Sequence, residues 1–586
     1  DLTTVVPNVA TTIGGIVGQF GWGAANQRTR ITSENELVEL YGEPDADSAE
    51  WFFPAANYLA YGNNLLVVRA INDTDAKNAS VKSVAVGTGL LLENNDTYDA
   101  NRTNAVDLFY AKYAGKKGNS IKVLAMDNLG WTTATAGKAA SIIARNAGTA
   151  TPAQINDLLF LESFNGAPGS SPDALAHGGS NDEMHVIVVD DSGDFTNISG
   201  EILETHGYVS KAVDAKRVDG SNNYVDNVLR NESRYVYAGG TAEWNVAATT
   251  NTTDANVGSS RTSTFKELAD VATTNTIGGV LIAGENGSAV DAGQVQRGYD
   301  LFNNADIVDV TLLMAGGSSG HSGANVIGKY IIDIASARKD CIACVSPSRA
   351  SVVGQTSNDA IVTAISGDKT AMGSSSYGVM DSAWKYQYDR YRDVFLNVPM
   401  NGDIAGVMAR TDFTDDPWYS PAGYTRGSIK NIVRPSWEPR SADRDELYRI
   451  SINPLVTQLG AGVILFGDKT MQTVPSAFDR INVRRLFIIL EKAIAIAART
   501  TLFEFNDAFT RAQFVNLIAP YLREIKGRRG ITDFQVVCDS TNNTGQVIDT
   551  NNFVGDIYVK PTRSINFIQL NFVATRSDVS FSEIGA

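Results

Sequence analysis

Three short motifs carry residues whose types and spacing could do chemistry. Gly316-Gly317-Ser318-Ser319-Gly320 has G-x-S-x-G spacing and follows an apolar run, the context in which a serine hydroxyl is presented on a sharp strand-to-helix turn. Acyl transfer there needs a base histidine downstream of the serine and its acid partner. The only downstream histidine is His321, beside the loop itself, so an ordinary Gly/Ser loop accounts better for the stretch. Cys341 and Cys344 have C-x-x-C spacing, but a redox pair wants an exposed thiolate of lowered pKa, usually at a helix N-terminus. These two sit in the apolar run 341–345, which reads as a strand with inert, packed thiols. Gly-Asp-Lys-Thr at 367–370 and 467–470 lacks the spacing of a phosphate-binding loop, and both copies read as turns. His177, His185, His206 and His321 are scattered without metal-ligand spacing, and Asp190-Asp191 and Asp415-Asp416 lack that of a calcium loop. The expectation is therefore no enzyme, with no catalytic, cofactor-binding or metal-binding residue.

The elements that would hold these motifs are strands alternating with helices. Val280–Ala283, Val308–Met314 and Cys341–Val345 read as strands, Asp291–Asn303 as a helix. Ala324–Ala337 carries Val326, Ile327, Tyr330, Ile331 and Ile334 at helical spacing. Such alternation predicts βαβ units and a mainly parallel sheet. Ser476 with Asp479 signals the start of a long helix, and Thr510 with Gln513 a second one. The second carries Phe514, Leu517, Ile518, Tyr521, Leu522 and Ile525 as one apolar stripe, interrupted by Pro520, where a kink or break is expected. Ile568, Leu570, Phe572 and Ala574 alternate with polar residues as in a half-buried strand, and Val579–Phe581 looks like a short final one. Between 86 and 275 the chain is dense in Asn, Thr, Ser, Gly and Asp, the texture of long loops on a peripheral domain.

The chain has 586 residues, 43% hydrophobic and 19% charged, enough for about three or four domains with buried cores. Three Cys exclude a disulfide scaffold. No stretch reads as a signal or a membrane span, so cytoplasmic synthesis without membrane insertion is expected. The formal charge of −16 disfavours binding to a phosphate backbone, so no nucleic-acid partner is expected. That charge is uneven. Residues 476–586 hold 13 Lys+Arg against 11 Asp+Glu, a balance of +2, which leaves −18 for residues 1–475. Arg523, Lys526, Arg528 and Arg529 cluster at a predicted helix C-terminus. There they could complement the helix dipole or form a docking patch for an acidic partner.

Several of these runs resemble the contractile tail sheath family of large myophages. They are RKDC at 338–341, PWYSPAGYTRG at 417–427, VILFGDKT at 463–470 and SAFDRINVRRLFIILEKAI at 476–494, followed by PYLREIKGRRGITDFQVVCD and KPTRSINFIQLNFVAT. Near the front, 13–20 and 41–69 fit the family's early region, while 110–123 and 185–204 fit its inserted domain. The resemblance implies a multidomain fold of mixed α+β class. Residues 1–22 plus 438–586 would form an inner domain, 23–85 plus 275–437 a split α/β middle domain, and 86–274 a loop-rich, β-containing outer insertion, with 127–182 as variable elaboration.

The implied function is that of a structural sheath subunit. It would polymerise as stacked hexameric rings around a tail tube and contract to drive the tube through the host envelope. Its partners would be further copies of itself, the tail tube protein, and baseplate and tail terminator proteins. Its place would be the virion tail, assembled in the host cytoplasm. A sheath from a related contractile injection system, bacteriocin-like or secretory, is the alternative. Within this frame Arg523, Lys526, Arg528 and Arg529 are the tube-docking candidates. Leu2, Thr3, Thr4, Val5 and Val6 with Val579, Ser580 and Phe581 are the inter-subunit arm candidates, and Ile568, Leu570 and Phe572 mark the acceptor strand.

Overall fold

In a computed structural model, the chain is described over residues 11–82, 88–102, 104–240, 244, 254–268, 275–320 and 323–564. Its centre is a six-stranded sheet in the order Gly378–Met380, Ile342–Val345, Leu312–Met314, Gly14–Gly18, Leu65–Arg69, Arg28–Ile31. Every neighbouring pair is parallel except the last. The inner strands are short apolar runs buried on both faces, as helix-covered parallel strands must be. The helices Ala324–Arg338 and Asn358–Met372 make the crossovers between the three strands that follow residue 310. Mixed α/β architecture with a mainly parallel sheet is therefore present, as the alternating pattern predicts.

Three placements differ from the expected division. The strand Gly14–Gly18 is an interior strand of this sheet, not a companion of the C-terminal elements. Such non-local pairing leaves no trace in local periodicity. The strand expected at 280–283 is Ile277–Val280, and it pairs antiparallel with Ile121–Met126 in the inserted region. Glycine makes that approach possible. Gly278 has φ +103, and a Cβ there would lie 2.2 Å from the Val123 carbonyl oxygen. Residues 441–481, expected with the chain end, pack into the large core through Leu447, Ile452, Leu455, Leu465 and Ile481.

The insertion holds a four-stranded antiparallel sheet of Ile277–Val280, Ile121–Met126, Glu183–Asp190 and Glu201–Ser210. The stretch expected to be variable elaboration forms a helical hairpin, Asn128–Asn146 and Pro152–Ser163. Asp127 caps the first helix and a Thr151–Gln154 capping box the second. Phe160 and Leu161 seat the hairpin on Leu124, Met126, Ile187 and Val189 of the sheet.

A separate core begins at the C-terminal helices. Leu486 and Leu490 of Ile481–Ala498 meet Phe514, Ile518, Leu522 and Ile525 of Ala508–Gly527, with Trp418 and the hairpin Ile531–Val537/Asp556–Pro561 alongside. Pro520 does not break its helix. Asp507, not Thr510, is the N-cap, its carboxylate accepting from the Thr510 amide at 2.8 Å; the helix thus starts a turn before the expected box. Ser476 caps only a 3₁₀ turn, Ala477–Asp479.

Close helix contact ties Asn401–Thr414 to Ala49–Leu59. Gly402 and Gly406 face this contact four residues apart. A Cβ on Gly402 would come within 2.1 Å of the Pro54 carbonyl oxygen, and one on Gly406 within 2.4 Å of the Tyr61 ring. Gly402→Ala should therefore destabilise the chain by about 1–3 kcal/mol. Thermal unfolding of the variant checks this, and an unchanged Tm would show that the helices can separate at no cost.

A closed crevice and candidate interaction surfaces

In a parallel sheet of this kind a ligand site forms beyond the carboxyl ends of the strands, where the strand order reverses. Here that place is filled by side chains. Gly316–Gly320 is a 3₁₀ turn after the strand Leu312–Met314. The Asn401 amide side chain locks onto it, accepting from the Gly316 amide at 2.9 Å and donating to the Gly316 carbonyl at 3.1 Å. The Asn401 backbone N–H donates to the Ser346 hydroxyl at 2.9 Å, and that hydroxyl donates to Asp381 at 2.6 Å. All three side chains are buried. The Ser318 hydroxyl is buried too and donates to the Ala315 carbonyl. A nucleophile must be exposed and paired with a base, so this serine is a turn-closing residue. His321 lies outside the described residues.

The other motifs resolve in the same direction. Burial pushes the thiols of Cys341 and Cys344 up to about 12, which makes both thiolates scarce at neutral pH. The first Gly-Asp-Lys-Thr is not a turn; it lies within the helix Asn358–Met372. There Asp368 accepts from Ser351 at 2.7 Å and from Asn325 at 2.9 Å. His185 is an interior ring, stacked on Phe164 with centroids 3.9 Å apart, and burial lowers its pKa. Among the described residues no group of three or more His, Cys, Asp or Glu could hold a metal ion. Among them, too, no helix is long and apolar enough to cross a membrane.

Basic residues organise the C-terminal helices. Arg485 is buried and paired with Asp412 at 2.5 Å, while also donating to the Met408 carbonyl at 3.3 Å. Arg484 lies over the Phe478 and Tyr377 rings, 3.9 and 4.3 Å from their centroids. Arg480 pairs with Asp468 at 2.9 Å. Lys492 pairs with Asp309 and Arg499 with Asp306 at 3.6 Å. This row joins the helix Ile481–Ala498 to the central body. Arg480, Arg484 and Arg485, three arginines at the start of an otherwise apolar helix, are the sign in sequence of partners inside the fold.

The four tube-docking candidates gather at the end of Ala508–Gly527 as expected, and all are exposed. They are not equivalent. Lys526 pairs with Asp533 at 3.0 Å. Arg528 pairs with Asp416 and with Glu524 at 3.6 Å, and lies 5.2 Å from the Trp418 ring centroid. Arg523 and Arg529 have no ion-pair partner among the described residues. The arm candidates Leu2, Thr3, Thr4, Val5, Val6, Val579, Ser580 and Phe581, and the acceptor residues Ile568, Leu570 and Phe572, lie outside the described residues.

This arrangement of α/β sheet, antiparallel insertion and helical C-terminal core recurs in a solved structure. The sheath tail protein of Listeria innocua has this fold: 94% of this chain superposes on 96% of that one, with a TM-score of 0.52 and 11% identity. Sequence comparison is more specific. The family models described as tail sheath protein Gp18 domain III N-terminal region, phage tail sheath protein central domain and phage tail sheath C-terminal domain match residues 11–70, 302–471 and 473–575. The tail sheath protein of Enterobacteria phage T4 is 34% identical over 99% of this chain and 97% of its own length. That of Vibrio phage KVP40 is 33% identical over 100% and 98%. The chain belongs to the phage tail sheath protein family.

Asp381, at the floor of the closed crevice, gives a pH-dependent test of that burial. Burial, reinforced by the charge of Asp403, raises its pKa from the ordinary carboxylate value to about 8. Between pH about 4 and 8 the unfolded chain releases this proton and the folded chain holds it, so the group's contribution to stability falls as pH rises through that window. Asp381→Asn removes the titration. Its Tm relative to wild type should rise more at pH 8 than at pH 5; equal differences at both would mean that Asp381 is already ionised in the fold.

Proposed function

We infer that this protein is the structural subunit of a contractile phage tail sheath and that it works by changing how copies pack, not by catalysis. The observation that carries the reading is the match at about one-third identity to phage sheath proteins along essentially the whole chain. This also favours a phage tail over a secretion or bacteriocin-like device. Subunits would assemble in the host cytoplasm as hexameric rings stacked around a tail tube, with baseplate and terminator proteins at the two ends. Contraction would draw its energy from the difference between two lattices. The filled crevice supports a role without nucleotide or cofactor, since the usual ligand position of the sheet is taken up by Asn401, Ser346 and Asp381.

On this reading the C-terminal helices and hairpin form the inner, tube-facing part, and the insertion within 86–274 faces outward. The two ends of the chain serve as arms: Leu2–Val6 and Val579–Phe581 would add strands to neighbouring copies, with Ile568, Leu570 and Phe572 in an acceptor strand. Rings linked in this manner stay connected while whole subunits rotate.

The basic cluster would grip the tube, and its four members now rank differently. Arg523 and Arg529 are the ones free to meet an outside carboxylate. Arg523→Glu, which leaves Arg529 in place, should leave self-assembly intact and weaken co-sedimentation with purified tubes by about fivefold at low salt, with a smaller loss at high salt. Unchanged tube binding would remove this end of the helix from the interface.

A further inference from the structure

Beside the hairpin, at the seam between the central body and the C-terminal core, lies a cleft of about 620 Å³. Its lining includes the aromatic rings of Trp418 and of Phe466, which is 44% exposed. Four arginines line it. Arg426 is paired with Asp415; the other three are Arg444 from the helix Ser441–Arg449, Arg529 from the turn after Ala508–Gly527, and Arg563 after the strand Asp556–Pro561. None of the three has an ion-pair partner among the described residues. The acidic groups nearby do not neutralise them. Asp468 at the base is buried and already accepts from Arg480 at 2.9 Å and Ser564 at 2.6 Å. Asp415 and Asp416 are held by Arg426 and Arg528. Asp445 is the remaining acidic residue on the lining.

Uncommitted guanidinium groups beside aromatic rings, on a chain of net charge −16, define a receptor for carboxylates. We propose that this cleft receives an acidic surface segment of a second copy of this chain, its carboxylates paired with Arg444, Arg529 and Arg563 and its backbone lying against Trp418 and Phe466. The complementarity is with the chain's own surface: the balance of −18 over residues 1–475 makes another copy the acidic neighbour at hand. The proposal rests on the polymer reading above and is separate from the terminal arms. It places an electrostatic contact at the seam of the two cores.

The test uses the full chain with p-benzoylphenylalanine in place of Phe466, irradiated at assembly concentration and examined on denaturing gels and by mass spectrometry. A covalent dimer whose cross-linked peptide is rich in Asp and Glu is expected. Cross-links confined to one chain, for instance to residues 565–586, or no dimer at all, would overturn the proposal. In parallel, Arg444→Glu with Arg563→Glu should cut polymer yield at low salt by about tenfold. Circular dichroism confirms that the variant is folded. Wild-type yield from a folded variant would also overturn the proposal. Failure of the sheath reading looks different, because then the wild-type protein itself would form no tubes.

Discussion

The buried pair between Arg485 and Asp412 is the contact on which the two-core architecture depends. It joins the start of the helix Ile481–Ala498 to the end of Asn401–Thr414, and both side chains are withdrawn from water. Removing one member of such a pair leaves an uncompensated buried charge, at a cost of about 3–5 kcal/mol. Burial raises the Asp412 pKa, and the guanidinium beside it opposes that shift. The arginine thus offsets part of what burial costs the charged carboxylate. Arg484, stacked between two rings, and Arg480, on Asp468, extend the same clamp along the seam.

A mechanical role also explains how the central sheet is finished. Doubly wound sheets leave an opening at their carboxyl edge, and enzymes use it. In this chain Asn401 satisfies both backbone groups of Gly316, and Ser346 and Asp381 complete a buried chain of hydrogen bonds behind it. A second buried pair, Lys385 with Asp403 at 3.0 Å, lies nearby. Buried polar groups held by partners in this way help to make a core rigid. The place where other folds admit a substrate is here a joint between sheet and helix.

Local pattern carried much of the fold and little of its assembly. The strands around 312–314 and 342–345 are legible as short, wholly apolar runs, and the helix Ala324–Arg338 and the stripe from Phe514 to Ile525 because each buries one face at a regular period. The helical hairpin 128–163 is not, because its Ala, Thr, Gly and Asn content has the texture of a loop until its caps are noticed. The partners of Gly14–Gly18 lie about 50 and 300 residues away, and no window of sequence contains them. The same holds at the surface. The basic cluster is visible in sequence, but Asp416, which engages Arg528, is more than 100 residues distant, so only the structure separates committed arginines from free ones.

The central claim is that contraction reorients intact subunits whose two cores stay clamped together. Helical reconstruction of this protein's polymer, once extended on the tube and once contracted, tests it most directly. The account predicts that the Arg485–Asp412 pair and both cores superpose between the two states while the orientation and spacing of subunits change. A helix Ile481–Ala498 detached from Asn401–Thr414 in either state would contradict it.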